Sequence, residues 1–359
     1  MTPKKKYYSL DEKFKLVADT IRAYPLQLKQ SWEEVSSMYI PDEYKNIDSV
    51  VLCGMGGSAL NGRIAKSLLF DRLRVPFEVS TDFKIPNYVN AKTLVIASSY
   101  SGSTEETINS TLEALQRGAK VFGVTTGGKL GDLCIENKLP CYIFDPKHNP
   151  SKQPRMSQAY MSGSILALFN MLGLATILEE EIENSIISMN ELLTDVHENV
   201  SSERNLAKSY SEKLRGKIPV LVSSEHLLGI SHAIKNQFNE NAKTFCLLFD
   251  IPELNHHLME GLKYPQKNRE LLKFVFLNSE LYSEKVKRRY PLTAEVVEKN
   301  GIDYLMYSPR TSNKISQVYE VLIFGSFLVY HLTKSYSIDP LEIPWVDYFK
   351  AKLSEKSNK

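Results

Sequence analysis

Apolar residues along this chain follow two spacings that alternate. Compact apolar runs at Ser49–Cys53, Phe77–Ser80, Thr93–Ala97, Lys120–Thr125 and Cys141–Phe144 read as strands buried on both faces. Between them the apolar positions recur at helical spacing, through Ile64, Leu68 and Leu69, over Thr107–Gln116 and over Leu130–Asn137. A second round of the same kind follows: strand Ile218–Ser223, helix Ile230–Ala242, strand Thr244–Phe249, strand Lys273–Leu277, helix Tyr282–Asn300, strand Tyr304–Tyr307 and helix Ser312–His331. Strands separated by helices predict a parallel sheet covered on both faces, so the fold class is α/β with two similar units in tandem. Each unit is expected to be a flavodoxin-like three-layer α/β/α arrangement.

The remaining stretches set the boundaries. Residues 1–48 read as a polar helical segment, with Leu16, Ile21, Leu26 and Leu28 expected to pack on a later core. The first α/β domain spans 49–154 and closes in a stretch, 145–154, that carries three prolines and reads as a linker. Arg155 opens a helix apolar at Ile165, Leu166, Phe169, Leu172 and Leu174, and Glu179–Leu214 is a long polar helical stretch, so 155–215 is a helical connection. The second α/β domain spans 216–335, and 336–359 forms a C-terminal helix.

A length of 359 residues fits two domains of roughly 150 residues each. The net charge of +2 gives no general affinity for nucleic acid or an anionic membrane, and Lys4, Lys5 and Lys6 are expected to be a solvated, mobile terminus. Cys53, Cys134, Cys141 and Cys246 form no C-x-x-C pair, which points to reduced thiols in the cytoplasm rather than to disulfides or zinc. The N-terminus carries no long apolar stretch of the secretory kind, and the apolar stretches Ser162–Leu178 and Val318–Leu332 are too short and too interrupted for membrane spans.

The chemistry concentrates after the strand ending at Ala97. Ser98-Ser99-Tyr100-Ser101-Gly102-Ser103-Thr104 places four hydroxyls, Ser99, Ser101, Ser103 and Thr104, within six residues between a strand and a helix start. Free N–H groups of a first helical turn and the positive end of its dipole attract an anion there. A helix cap needs one such hydroxyl; four predict a phosphate site held by neutral donors. A P-loop would need a Gly-Lys-Ser/Thr sequence that this segment lacks.

Gly54-Met55-Gly56-Gly57-Ser58 follows the first strand, and its glycines let the backbone turn close to a ligand. Their spacing does not match the dinucleotide G-x-G-x-x-G, so the loop is expected to face a sugar, with Ser58 as a further donor. Ligands of parallel sheets bind beyond the carboxyl ends of the strands, so both loops can face one pocket. Later in the chain, Glu240 in Asn239-Glu240-Asn241-Ala242-Lys243 and His256 in Glu253-Leu254-Asn255-His256-His257 are candidates for proton transfer. Neighbouring histidines are not the i, i+4 pair of a zinc helix, so no metal site is expected.

In this order, Gly54–Ser58, Ser99–Thr107, Pro154-Arg155, Asn239–Lys243 and Glu253-x-x-His256 resemble the bifunctional phosphoglucose/phosphomannose isomerase family, built from two sugar isomerase (SIS) domains. The resemblance runs from about residue 50 to the end of the chain. It implies that Ser58, Ser99, Ser101 and Thr104 bind the substrate phosphate, and that Gly56 and Gly57 line the sugar. Glu240 would be the base that moves a proton between C1 and C2 through a cis-enediol, and Arg155 would stabilise the charge developing on that intermediate. His256 would assist ring opening from the partner subunit of a homodimer. Lys350 fits the family's C-terminal catalytic lysine, with Lys352 the fallback. Such an interconversion of glucose 6-phosphate, or mannose 6-phosphate, with fructose 6-phosphate needs no redox cofactor and no metal.

Three positions depart from the family pattern. His257 stands where the family usually has Asn, Ser103 where it often has Asn, and Asp339–Phe349 contains no threonine of the kind linked to accepting the mannose epimer. A SIS-domain protein that senses sugar phosphates without catalysis would keep the serine loop and could dispense with Glu240. A transcriptional regulator would need a basic DNA-reading helix pair that residues 1–48 do not offer. A glutamine-dependent aminosugar synthase would need an N-terminal cysteine, whereas this chain begins Met1-Thr2.

Overall fold

The computed structural model describes residues 8–357; the Lys4–Lys6 cluster lies outside the described residues. Two parallel sheets carry the fold. The first, of β1 (Ser49–Cys53), β2 (Phe77–Ser80), β3 (Thr93–Ser98), β4 (Lys120–Thr125) and β5 (Cys141–Ile143), has the order β2-β1-β3-β4-β5. Its register pairs Ser49 with Thr93 and Gly123 with Cys141. The second, of β6 (Ile218–Ser223), β7 (Leu247–Asp250), β8 (Leu272–Leu277) and β9 (Tyr304–Tyr307), repeats that pattern as β7-β6-β8-β9. This is the flavodoxin-like winding, in which chain direction across the sheet reverses beside the first strand and leaves a crevice at the carboxyl ends.

The helices run in chain order as α1 (Leu10–Arg22), α2 (Tyr24–Ser36), α3 (Gly57–Leu68), α4 (Glu105–Gln116), α5 (Gly128–Glu136), α6 (Gln158–Met171), α7 (Glu179–Val196) and α8 (Leu206–Leu214). They continue as α9 (Leu228–Glu240), three single turns α10 (Leu258–Gly261), α11 (Asn268–Leu271) and α12 (Glu284–Lys287), then α13 (Arg289–Lys299), α14 (Lys314–Ser335) and α15 (Pro344–Ser357). Helix α14 is apolar around its whole circumference, and a helix of that kind must be buried on all sides. Every residue from Ile315 to Thr333 is buried. Contrary to the expectation that its apolar stretch is too short, the helix is long and apolar enough to cross a membrane, because it extends beyond Val318–Leu332 at both ends; its apolar window is wholly enclosed by the protein. Phe324 stacks on Tyr307 with ring centroids 3.7 Å apart. Asn313 starts the helix by accepting hydrogen bonds from the backbone of Ile315 and Ser316.

Several expectations needed correction. Leu26 is 49 % exposed rather than packed. On α1 and α2 the core positions are Phe14, Val17, Ile21, Leu28, Trp32 and Val35, with Leu16 at the margin. The polar helical stretch Glu179–Leu214 is present as two helices, α7 and α8, with Asn205 capping α8 afresh by accepting from Lys208 N. The expected helix over Tyr282–Asn300 breaks at Arg288 into α12 and α13, with Pro291 in the first turn of α13, where its missing N–H is not needed. Strand β7 begins at Leu247 rather than Thr244, and α4 begins at Glu105 rather than Thr107.

The prolines of 145–154 do not mark a loose linker. Asn149 and Ser151 are buried, and Asn149 donates to Tyr100 Oη, Gln153 O and Ser157 Oγ. Segments 8–48 and 145–171 pack together over the fold: α2 packs along α6, where a Cβ on Gly163 would come within 2.4 Å of Ser31 Oγ.

Candidate functional site

Glycine decides the shape of both loops at the β1/β3 switch point. Gly102, at φ +66°, tucks so close to the turn after β4 that a Cβ there would lie 1.7 Å from Gly127 O. Gly128 likewise has room only for hydrogen beside Ser101 O. Hydrogen bonds from Leu130 N to Gly102 O (2.9 Å) and from Thr126 N to Tyr100 O (3.0 Å) lock the serine loop onto the start of α5.

Within that loop the hydroxyls face one another. Ser99 Oγ and Thr104 Oγ1 are 2.8 Å apart, and Ser101 Oγ and Ser103 Oγ 3.0 Å. Ser58 Oγ accepts from Tyr100 N at 3.0 Å, and Ser98 Oγ donates to Ser58 O at 2.9 Å, so the loops after β1 and β3 form one unit. Thr104 stands at the cap position of α4 without capping it through its side chain, which leaves the first-turn N–H groups for a ligand.

The same winding in the second sheet has the opposite outcome. At the β6/β8 switch point the Glu225 carboxylate accepts from Ser283 N at 3.1 and 3.2 Å. Tyr282 Oη accepts from Ser224 N, and Tyr290 Oη donates to Leu277 O. The chain's own side chains fill the crevice that serines line in the first sheet.

Arg155 is the centre of the second half of the site. It lies on a single 3-10 turn, Pro154–Met156, ahead of α6 rather than within it, and is 2 % exposed. Its Nε donates to Asn241 Oδ1. Nη1 donates to Gln153 Oε1 (2.9 Å) and Glu240 Oε2 (3.4 Å), and Nη2 to the carbonyls of Pro340 (2.9 Å) and Leu341 (3.0 Å). The five-donor fork of a guanidinium suits this convergence; a lysine would leave most of these acceptors unpaired. A Cβ on Gly57 would sit 3.2 Å from Arg155 N, so the glycine loop passes directly beside the arginine. Gln158 Nε2 donates to Gly57 O at 3.3 Å.

Glu240 ends α9. Burial raises its pKa, against the opposing pull of Arg155, Lys350 and Lys243. A carboxyl in that position is a better proton acceptor than a free one. Burial lowers the pKa of Arg155, with Glu240 and Asp339 opposing that shift. Lys350, on α15, is thus near enough for its charge to act on Glu240, whereas Lys352 pairs with Glu355 at 2.8 Å.

His256 is not part of this cluster. It lies exposed on the 3-10 turn Glu253–His256 after β7, and no hydrogen bond or ion pair among the described residues joins it to Glu240. His257 beside it approaches Glu253 at 3.8 Å. A cavity of about 1060 Å³ forms a groove along α3 and α9 lined by Arg63, Lys66, His232 and Lys235, and it includes neither the serine loop nor Arg155.

Reading the sequence missed Gln153, Asn241 as an arginine ligand, and the carbonyls of Pro340 and Leu341. Gln153 was masked by the prolines around it. Backbone carbonyls leave no signature in side-chain pattern.

Comparison with known proteins bears on what this site does. The family described as bacterial phospho-glucose isomerase C-terminal SIS domain matches residues 203–353. A bifunctional phosphoglucose/phosphomannose isomerase of Caldicellulosiruptor bescii is 30% identical over 94% of this chain and 98% of that protein. One from Thermoplasma acidophilum is 29% identical over 85% of this chain and 90% of that protein. A D-glucosamine-6-phosphate 4-epimerase of Sulfolobus acidocaldarius is 26% identical over 67% of this chain and 72% of its own. Among solved structures, a hypothetical protein of Thermus thermophilus superposes with a TM-score of 0.75 at 16% identity, covering 98% of this chain and 95% of that one, a likeness of fold.

Proposed function

Because the chain belongs to the bifunctional phosphoglucose/phosphomannose isomerase family, we propose that it interconverts glucose 6-phosphate, and mannose 6-phosphate where the epimer is accepted, with fructose 6-phosphate. The observation that carries this reading is the convergence of Arg155 and Glu240, with the charge of Lys350, beside a loop of hydroxyls and free N–H groups.

Each group then has a task. Ser58, Ser99, Ser101 and Thr104, with the first N–H groups of α4, hold the phosphate. Gly56 and Gly57 let the backbone pass close to the sugar. Glu240 takes the proton from C2 of the aldose and returns it to C1, and its raised pKa keeps proton transfer near balance. The buried guanidinium of Arg155, its N–H groups given to protein acceptors, sets a fixed positive charge beside Glu240 that favours the negative charge building in the cis-enediol, and Lys350 adds a second positive charge. His256, exposed on its own subunit, opens the sugar ring in the site of a partner subunit, which makes the active form a homodimer. The reaction moves one proton from C2 to C1 and one from O2 to O1 with no net change in the oxidation level of the sugar, so it calls for no redox cofactor. The domains are drawn at 49–154 and 216–335, and the enzyme is placed in the cytoplasm.

The test is isomerisation of fructose 6-phosphate by the purified protein, with glucose 6-phosphate and mannose 6-phosphate scored separately. Both products support the bifunctional reading. Glucose 6-phosphate alone ties the absent threonine in 339–349 to specificity. Binding of the sugar phosphate without either product would replace the isomerase reading with that of a sensor.

A further inference from the structure

The C-terminal helix α15, whose Lys350 acts on Glu240 through its charge, follows a short segment, Asp339–Glu342, and that segment is held at several points. Asp339 Oδ1 accepts from Leu341 N (2.8 Å) and Glu342 N (3.2 Å), folding the segment into a turn. The turn aims the carbonyls of Pro340 and Leu341 at Arg155 Nη2. The other Asp339 oxygen, Oδ2, pairs with Lys13 of α1, which also reaches Glu342 at 3.3 Å. From the opposite side Lys243 donates to Asp339 O and to Asn241 O.

Both lysines are themselves fixed. Lys13 precedes Phe14, whose ring packs edge-on against Tyr330 of α14 at 5.6 Å. A capping box, Ser9 with Glu12, pins the start of its helix. Lys243 has φ +49°, in the left-handed region that a side-chain-bearing residue rarely adopts, and such a conformation persists only where surrounding contacts hold it.

On the isomerase reading above, we propose that Lys13 and Lys243 are positioning residues that clamp Asp339, so that the segment after α14 delivers Lys350 to Glu240. The N-terminal helix α1, remote in sequence from every other site residue, thereby becomes part of the catalytic apparatus. The charged groups facing Asp339 are Lys13, Lys243 and Arg155, with Glu342 sharing Lys13. Those facing Glu240 are Arg155, Lys350 and Lys243. Releasing the clamp withdraws positive charge from Glu240 and lets its pKa climb further.

The experiment compares full-length wild type with Lys13→Met, Lys13→Arg and Asp339→Asn in fructose 6-phosphate isomerisation across pH. Asp339→Asn keeps an oxygen for the turn and removes only the charge that pairs with Lys13, so it carries the test if Lys13→Met does not fold. Lys13→Met and Asp339→Asn are expected to lower kcat by about tenfold with little change in KM. In both, the acid limb of kcat/KM moves to higher pH, and trypsin cuts faster after Lys350 and Lys352. Lys13→Arg restores the wild-type profile. A wild-type kcat and acid limb in both variants overturns the proposal, as does a loss of activity and thermal stability with the limb unmoved. If the wild type does not isomerise, the functional reading fails by itself, and the trypsin comparison still decides whether the clamp exists.

Discussion

Gly102→Ala separates the loop proposed to hold the phosphate from the groups proposed to move the proton. At φ +66° an alanine carries a backbone penalty of about 1–2 kcal/mol. Its Cβ would also lie 1.7 Å from Gly127 O and 2.9 Å from Thr125 Oγ1. Carbon and oxygen do not approach much below about 3 Å, so the serine loop or the turn after β4 must retreat by more than about 1 Å. The retreat carries Ser99, Ser101, Thr104 and the start of α4 with it. Misaligning one hydrogen bond to a charged phosphate loses about 1.5–3 kcal/mol, which is roughly 10- to 150-fold in affinity.

The expected result is a KM for fructose 6-phosphate raised by that factor, with a smaller change in kcat, because Arg155 and Glu240 are held by other elements. Gly118→Ala supplies the control. Gly118 has φ +73°, but its Cβ would meet nothing nearer than Ala91 Cβ at 3.9 Å. That variant should lose about 1–2 kcal/mol of stability and keep its KM. Initial rates are read by coupling glucose 6-phosphate to its dehydrogenase, and stability by thermal unfolding. A folded Gly102→Ala enzyme with KM within about twofold of wild type refutes the assignment of this loop to the phosphate, as does an equal rise in Gly118→Ala.

Glu240→Gln should reduce kcat by about 10²–10⁴-fold while calorimetric binding of the sugar phosphate changes little; near-normal turnover would remove Glu240 from proton transfer. Glu240 must be ionised to accept a proton and burial raises its pKa, so the acid limb of kcat/KM lies above the ordinary glutamate value of about 4.3, with activity full above the limb and lost as pH falls through it. Mixing refolded Glu240→Gln and His256→Ala subunits should recover about a quarter of wild-type activity from two inactive parents, since half the dimers then hold one intact site, and no recovery would place His256 outside the partner's site. Phe324→Ala, which empties the space stacked on Tyr307, should cost about 3–5 kcal/mol in denaturant unfolding, and a loss below about 1 kcal/mol would mean that the core refills.

Much of the architecture was legible because local pattern and burial agree. Strands buried on both faces read as continuous apolar runs, so β1, β3, β4, β6 and β8 were recognisable to within a residue or so. The serine loop was legible because four hydroxyls after a strand exceed what a helix cap uses. Edges were less so. Strand β7 has half-buried residues throughout and lies at the rim of its sheet, so its pattern did not mark where it begins. The break at Arg288 follows from Pro291, but a proline in a first helical turn also suits a continuous pattern just upstream.

The residue types themselves set the chemistry on offer: neutral donors suited to a phosphate, a carboxylate suited to accept a proton, and cations suited to a developing oxyanion. They did not determine which of them meet. Arg155, Glu240, Asn241 and Lys350 come from separate parts of the chain, and only the tertiary fold sets Arg155 against Glu240 and Asn241 and brings the charge of Lys350 within range of Glu240. Nor could composition foresee that the second switch point is filled by Glu225, Tyr282 and Tyr290 while the first stays lined with hydroxyls. The physical reason is one of range. Propensity, periodicity and capping act within a few residues along the chain, whereas the pKa of Glu240 and the reach of Lys13 to Asp339 depend on charges and burial that exist only once distant segments have folded against each other.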